Sequence, residues 1–215
     1  MAIPKLPAPT PIQFTRPIQH GLDPLHTAPP TTPQQPKAKP PSVEGCTYNI
    51  RDGRGSGGEA GLLSAIRMIG LAGLHFAILT ETKISTDVYT KNSLGYDVVC
   101  TCSEPRSGGV ALVTKDQPDG WHFESTKPYG PNVISTVLVS GASRTHIVGA
   151  YLPPSSLQHL PDLEVALTQY PDLSPMVFGD LNTDLTQLTT NRSRSIAASL
   201  SAFGLHDLLH DFRQR

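Results

Sequence analysis

No apolar run in this chain approaches the roughly 18 residues of a membrane-spanning helix, so the sequence predicts no membrane span. It also lacks a positively charged start followed by an apolar core, so no secretory signal is expected. Cysteine is scarce: Cys46, Cys100 and Cys102 are the only three. An odd count without framework spacing argues for reduced thiols and an intracellular setting. No Cys-x-x-Cys pair or matching His spacing completes a zinc set. Cys100 and Cys102 share one face of an expected strand and read as small buried or half-buried residues. Excess basic charge is missing too, with 17 Lys and Arg against 18 Asp and Glu and a net charge of -1. Tight, non-specific binding to a polyanion draws on many cation–phosphate contacts, and no basic run here would supply them. Aromatics make up only 6% of the chain, with a single tryptophan, Trp121, expected in or near the core.

Proline, by contrast, is plentiful and unevenly placed. Twelve of the 21 prolines lie at or before Pro41. Apolar clusters are rare in the same stretch. Such a segment cannot bury enough surface to offset its ordering entropy, so residues 1–44 are expected to be a disordered tail of extended, PPII-like character. It serves as a linker or as a Pro-rich ligand for a partner domain. The remainder, 45–215, is one medium domain. That part carries 13 basic and 16 acidic side chains, a balance of -3.

Four apolar runs within the domain end in polar residues. Cys46 to Arg51 contains Asn49 and leads into a Gly-rich loop, Gly53 to Gly58, whose spacing is not that of a dinucleotide fingerprint. Phe76 to Thr80 is followed by Glu81, Thr82 and Lys83. Ile147 to Ala150 ends at Tyr151 before Leu152-Pro153-Pro154. Pro175 to Phe178 ends at Gly179-Asp180-Leu181-Asn182. On an extended backbone Asp180 and Asn182 would point to one face. A carboxylate and an amide placed so can hold a water, a metal aqua ligand or a phosphate oxygen, or can simply make a strand-to-loop turn. Groups at strand ends of layered α/β proteins converge on a shared surface. A hard cation such as Mg²⁺ often uses one or two carboxylates plus amide oxygens and waters, which suits Glu81 with Asn49. Asp184 reads as a cap or turn residue, and Ser107-Gly108-Gly109 as a tight turn entering a strand.

Asn49-Ile50-Arg51, Thr80-Glu81-Thr82-Lys83, Ser107 to Val113 (SGGVALV), Tyr151 to Pro154, Gly179 to Asn182 and Gly204 to Leu208 (GLHDL) occur in an order that resembles the endonuclease/exonuclease/phosphatase superfamily. The resemblance runs from about Cys46 to the carboxyl terminus and is strongest to the endonuclease domain of LINE-type retrotransposons. It implies Mg²⁺-dependent hydrolysis of a phosphodiester, with Mn²⁺ as a substitute ion and DNA as the partner, bound weakly by this piece alone. By the same resemblance Asn49 and Glu81 bind the metal, Tyr151 contacts the scissile phosphate, Asp180 orients or activates the attacking water, and Asn182 supports it. Arg51 and Lys83 are candidate phosphate contacts, with Arg106 a further local cation. A reverse transcriptase region of the same parent polyprotein is an implied partner, and the nucleus an implied location if genomic DNA is the target.

One family element is absent. Members finish on a strand carrying Ser-Asp-His, and this sequence has none. The expectation is therefore a domain incomplete at its carboxyl end and impaired in activity. His206 and His210, in an apolar-periodic stretch, read as surface or helix-face residues rather than substitutes. Two alternatives stay open: an inactive retroelement remnant, and a phosphatase of the same fold acting on a phosphoester other than nucleic acid.

The expected fold is α/β, a layered sandwich of two packed, mainly antiparallel or mixed sheets flanked by helices, its last strands missing. Strands are predicted at Cys46–Arg51, Phe76–Thr80, Tyr96–Thr101, Gly109–Thr114, Trp121–Ser125, Val133–Ser140, His146–Tyr151 and Met176–Asp180. The run from Tyr96 to Tyr151 reads as a meander of hairpins. Helices are predicted over Glu59–Leu71, from Pro161 to about Tyr170, and from about Ser193 to Phe203, before Gly204.

Overall fold

The computed structural model describes residues 43–50, 59–84, 89–101, 108–116 and 120–205. The expected disordered tail therefore lies outside the described residues, as do Arg51, Cys102, Arg106, His206, His210 and anything beyond residue 205.

Among the described residues, nine strands and three helices form in the order β1 (Gly45–Asn49), α1 (Glu59–Leu71), β2 (Phe76–Thr80), β3 (Tyr89–Ser93), β4 (Tyr96–Cys100), β5 (Val110–Lys115), β6 (Trp121–Pro128), β7 (Val133–Ser140), β8 (Ser143–Tyr151), α2 (Leu160–Leu167), β9 (Pro175–Asp180) and α3 (Asn191–Ala202). They make two mixed sheets, ordered β1-β2-β5-β4-β3 and β6-β7-β8-β9. β1 runs parallel to β2, and β8 parallel to β9, while the other pairings are antiparallel. The layered α/β sandwich is thus the observed architecture. No helix among the described residues is long and apolar enough to cross a membrane.

Three apolar layers follow from strand alternation. Ala77 and Leu79 of β2, with Val98, Ala111 and Val113, face α1 and meet Leu62, Ala65, Ile66 and Ile69. Cys46 and Cys100 pack here as free thiols, and burial pushes the Cys100 thiol up to about 12. On the far side Val133, Val148 and Ala150 meet Leu163 and Leu167 of α2 and Ile196 and Leu200 of α3. Between the sheets lie Phe76, Ile78, Val110, Leu112, Ile134 and Tyr151. Three phenylalanines gather at this inner layer. Phe76 stacks edge-on with Phe123 and Phe178 at centroid distances of 5.3 and 5.5 Å, and Trp121 does so with Phe123 at 5.9 Å. Such pairs add to area burial because ring edge and ring face carry opposite partial charge.

Four details depart from the sequence expectation. β3 is a strand that Tyr89-Thr90-Lys91-Asn92-Ser93 does not announce, since it lacks apolar alternation and forms by pairing with β4 across the tight Leu94-Gly95 turn. The expected meander is divided: β4 and β5 belong to one sheet, β6 to β8 to the other. α2 stops at Leu167, where the Thr168 hydroxyl donates back to the Val165 carbonyl. α3 starts two residues before the expected Ser193. Thr190 caps it, accepting from the Ser193 amide while the Ser193 hydroxyl accepts from the Thr190 amide, so two otherwise orphaned donors are satisfied.

Gly149 sets the spacing of the sheets. A Cβ there would lie 2.8 Å from Ile134 Cγ2 and 2.9 Å from Ile78 Cγ2, one residue from each sheet. Gly149→Val should therefore overpack the inner layer and cost about 1–3 kcal/mol. Urea unfolding checks this, and Ile78→Ala in the same chain should recover part of the loss. Equal stability of Gly149→Val and wild type would refute the reading.

His146 gives a second prediction. It is wholly buried beneath the Tyr170 ring, its Nε2 lies 2.8 Å from the Ser135 hydroxyl, and burial lowers its pKa from the ordinary 6.5. The unfolded chain therefore binds more protons at this site below about pH 6.5, and stability is lost as pH falls through that value. The drop in urea midpoint from about pH 7.5 to 5.5 should be larger in wild type than in His146→Leu. An identical drop in both would exclude His146 as the cause.

Candidate active site

The parallel pairings bring four strand ends to one end of the sandwich. β1 ends at Asn49, in register with Thr80 of β2, and Glu81 follows directly. β8 ends at Tyr151, in register with Asp180 at the end of β9. β1 and β9 are edge strands of different sheets, and Asn49 closes the gap between them. Its Nδ2 donates to Glu81 Oε1 at 2.8 Å and to Asp180 Oδ2 at 2.9 Å. Three of the expected site residues thus meet at one nitrogen.

Local backbone geometry is specialised around this point. Gly179 has φ of +146°, and a Cβ there would lie 1.8 Å from the Ala150 carbonyl oxygen, so β9 can lie this close to β8 only with glycine at that position. Two residues on, Asn182 adopts a left-handed φ of +47°. Its amide N–H donates to Asp180 Oδ1 at 2.9 Å, and its side-chain Nδ2 donates to the Leu152 carbonyl at 3.1 Å. Both oxygens of Asp180 are therefore fixed, one by Asn182 and one by Asn49. Asn182 supports Asp180 through its backbone and the β8 loop through its side chain.

Glu81 and Lys83 also take left-handed φ values, +58° and +52°. Neither side chain can form the local bonds that ease this conformation for Asn, so each costs on the order of 1–2 kcal/mol. The segment is held by Thr82 N–H donating to the Gly109 carbonyl at 3.3 Å and Lys83 N–H donating to the Gly108 carbonyl at 3.0 Å. Gly108 and Gly109, with φ of +81° and +89°, lead directly into β5, while Ser107 of the expected tight turn lies outside the described residues. Tyr151 lies beside Asp180 by register, with its ring in the inter-sheet layer and 6% of its surface exposed. Asp184 is a turn residue, its Oδ1 accepting from the Thr186 amide at 2.8 Å.

Two residues were not evident in the sequence. Asn132 is buried: its Oδ1 accepts from the Gly109 amide at 2.8 Å, and its carbonyl accepts from the Tyr151 amide at 2.9 Å. It ties the turn behind Glu81–Lys83 to the end of β8. Arg192, in the first turn of α3, donates to carbonyls of the loops after β8 and β9. A Gly-Pro-Asn string reads only as a turn, and an arginine near a helix start reads only as surface.

Chemically, the cluster offers two carboxylates and an amide, all hard donors, without thiol or imidazole. Among the described residues no group of three or more His, Cys, Asp or Glu side chains could hold a metal, so a zinc-type ligand set is absent there. Two carboxylates converging on one amide nitrogen fit a weakly held hard divalent cation that keeps most of its shell as water.

No protein-family model and no curated protein matches the chain. Solved structures do. The endonuclease domain of TRAS1, a telomere-specific non-LTR retrotransposon, is 16% identical, with a TM-score of 0.58 over 79% of this chain and 75% of that one. An AP endonuclease from Archaeoglobus fulgidus is 18% identical, with a TM-score of 0.53 over 79% and 74%. An endonuclease/exonuclease/phosphatase family protein from Bacteroides thetaiotaomicron is 14% identical, with a TM-score of 0.50 over 75% and 68%. These likenesses show that the chain has the endonuclease/exonuclease/phosphatase fold.

Proposed function

We propose that the chain is a Mg²⁺-dependent phosphodiesterase, a DNA endonuclease of a non-LTR retroelement. The observation that carries the reading is the Asn49 amide nitrogen held between Glu81 Oε1 and Asp180 Oδ2 at the joined edges of the two sheets. It stands on a fold whose solved examples include a retrotransposon endonuclease domain and an AP endonuclease. Glu81 and Asn49 would hold the cation, the amide offering its oxygen in place of its nitrogen. Bound there, Mg²⁺ would supply neutralisation of charge on the phosphate and on the leaving oxygen.

The remaining work falls to the chain's own groups. Asp180, held at Oδ1 by the Asn182 amide, positions the attacking water and accepts its proton. Tyr151 and Asn182 offer hydrogen bonds to phosphate oxygens as negative charge grows. Lys83, and Arg51 outside the described residues, would contact the flanking backbone. With a domain balance of -3, DNA binding should be weak and carried by few phosphate contacts. Action on genomic DNA would place the protein in the nucleus, in company with a reverse transcriptase of the same element.

Two predictions follow from the paired carboxylates. Without divalent ions Glu81→Gln should be at least as stable as wild type, because it removes one of two like charges and leaves the fold intact. Millimolar Mg²⁺ should raise the melting temperature of wild type and not of the variant, and Mn²⁺ relaxation should show binding to wild type alone. Equal Mn²⁺ binding by both chains would remove Glu81 from the metal site. For activity, nicking of supercoiled DNA should exceed hydrolysis of a soluble phosphoester. Asp180→Asn should lower the nicking rate by roughly 10²-fold or more. Hydrolysis confined to the small phosphoester would overturn the DNA assignment.

A further inference from the structure

Arg192 occupies a place that its own helix does not favour. It lies in the first turn of α3, where the helix presents unpaired N–H groups and the positive end of its dipole, and that turn holds no acidic residue. A cation there is disfavoured by a few tenths of a kcal/mol to about 1 kcal/mol. Its surroundings are dry enough that desolvation lowers the guanidinium pKa, and its Nε is buried with no hydrogen-bond partner among the described residues. Local stability of α3 accounts for none of this.

What the side chain gains is a set of three carbonyls. Nη1 donates to Ser156 O at 3.0 Å, and Nη2 donates to Leu152 O at 3.1 Å and to Leu181 O at 2.8 Å. Leu152 directly follows Tyr151, and Leu181 directly follows Asp180. The Leu152 carbonyl is the one that also accepts from Asn182 Nδ2, while the Leu152 amide donates to the Asp180 carbonyl at 3.0 Å. One planar fork thus fastens the loop after β8 to the loop after β9, at the residues next to two expected catalytic groups. Lysine, whose three donors sit on one nitrogen, has no equivalent planar fork.

We propose that Arg192 is the positioning residue of this site: it holds the Leu152 and Leu181 loops together so that Asp180 and Asn182 keep their orientation. The proposal rests on the phosphodiesterase reading for its consequence in rate, but its physical content can be read without activity. In the full chain carrying Arg192→Met, which keeps the length and apolar stem of the side chain, amide hydrogen exchange should accelerate at least tenfold at Leu152 and Asn182. Exchange at Val148 and Leu200, in β8 and α3, should stay within twofold of wild type. A merely structural role would instead speed exchange across both elements together. Where wild type nicks DNA, the variant should lose roughly 10²-fold in kcat with little change in KM, as expected when geometry and not binding is lost. Unchanged exchange at Leu152 and Asn182 would overturn the proposal. Local acceleration at those amides together with an inactive wild type would uphold it and overturn the phosphodiesterase reading instead. If Arg192→Met does not fold, wild type decides alone: separately resolved, slowly exchanging Arg192 Nη protons support the fork, and a single rapidly averaged signal refutes it.

Discussion

The site depends on one amide nitrogen that must satisfy two carboxylates from different sheets. Asn49 Nδ2 reaches Glu81 within its own sheet and Asp180 across the sandwich. Two carboxylates that both reach one nitrogen repel each other. The amide offsets part of this, and a cation would offset more. Everything that brings β9 to β1 therefore serves this contact. Gly149 lets the sheets approach, Gly179 lets β9 lie against the β8 carbonyls, and the Phe76, Phe123 and Phe178 rings fill the space between.

Backbone strain gathers at the same place. Among the described residues five non-glycine positions have left-handed φ, and Glu81, Lys83 and Asn182 are three of them. Strained residues persist where surrounding bonds over-determine them. Here the Gly108 and Gly109 carbonyls hold the Glu81–Lys83 segment, and Asn132 holds that turn in place. Asn182 is held by Asp180 on one side and Leu152 on the other. Relaxing either segment would release a few kcal/mol and lose the convergence of carboxylates. On the proposed reading this would be an exchange of stability for preorganisation.

Strand ends were legible in the sequence because a buried strand writes itself as an apolar run with a punctuated stop. Phe76 to Thr80 and Pro175 to Phe178 are such runs, and Glu81 and Asp180 just beyond them both accept from Asn49 Nδ2. β3 was not legible, because Tyr89 to Ser93 becomes a strand only through its partner β4, and pairing leaves no mark on an edge sequence. Sheet membership was hidden for a related reason. Alternation in β5 and β6 is the same whether they pair with each other or sit in different sheets. Asn132 and Arg192 escaped because their roles are hydrogen bonds to main-chain atoms, whose positions no side-chain pattern records. An arginine in the first turn of a helix without a nearby acid is, in hindsight, a weak signal of a partner beyond that helix.

Low basic charge shapes what the site must supply. A nuclease rich in lysine and arginine can gain most of its affinity from released counterions, at the expense of strong salt dependence. A domain with 13 basic and 16 acidic side chains has little of that term. On the proposed reading, substrate recognition would then rest on the few groups at the strand ends, and misplacement of any one of them would not be masked by binding energy from elsewhere. That is why the supports of Asp180 matter as much as the carboxylate itself. Its two oxygens are held by different segments, one through Asn49 from β1 and the other through Asn182 from its own loop. The loop in turn is fastened by Arg192 from α3. A strand distant in sequence, the residue two positions on and the following helix together fix one carboxylate, and on the proposed reading that rigidity would do the work a basic surface does in a phosphate-binding protein.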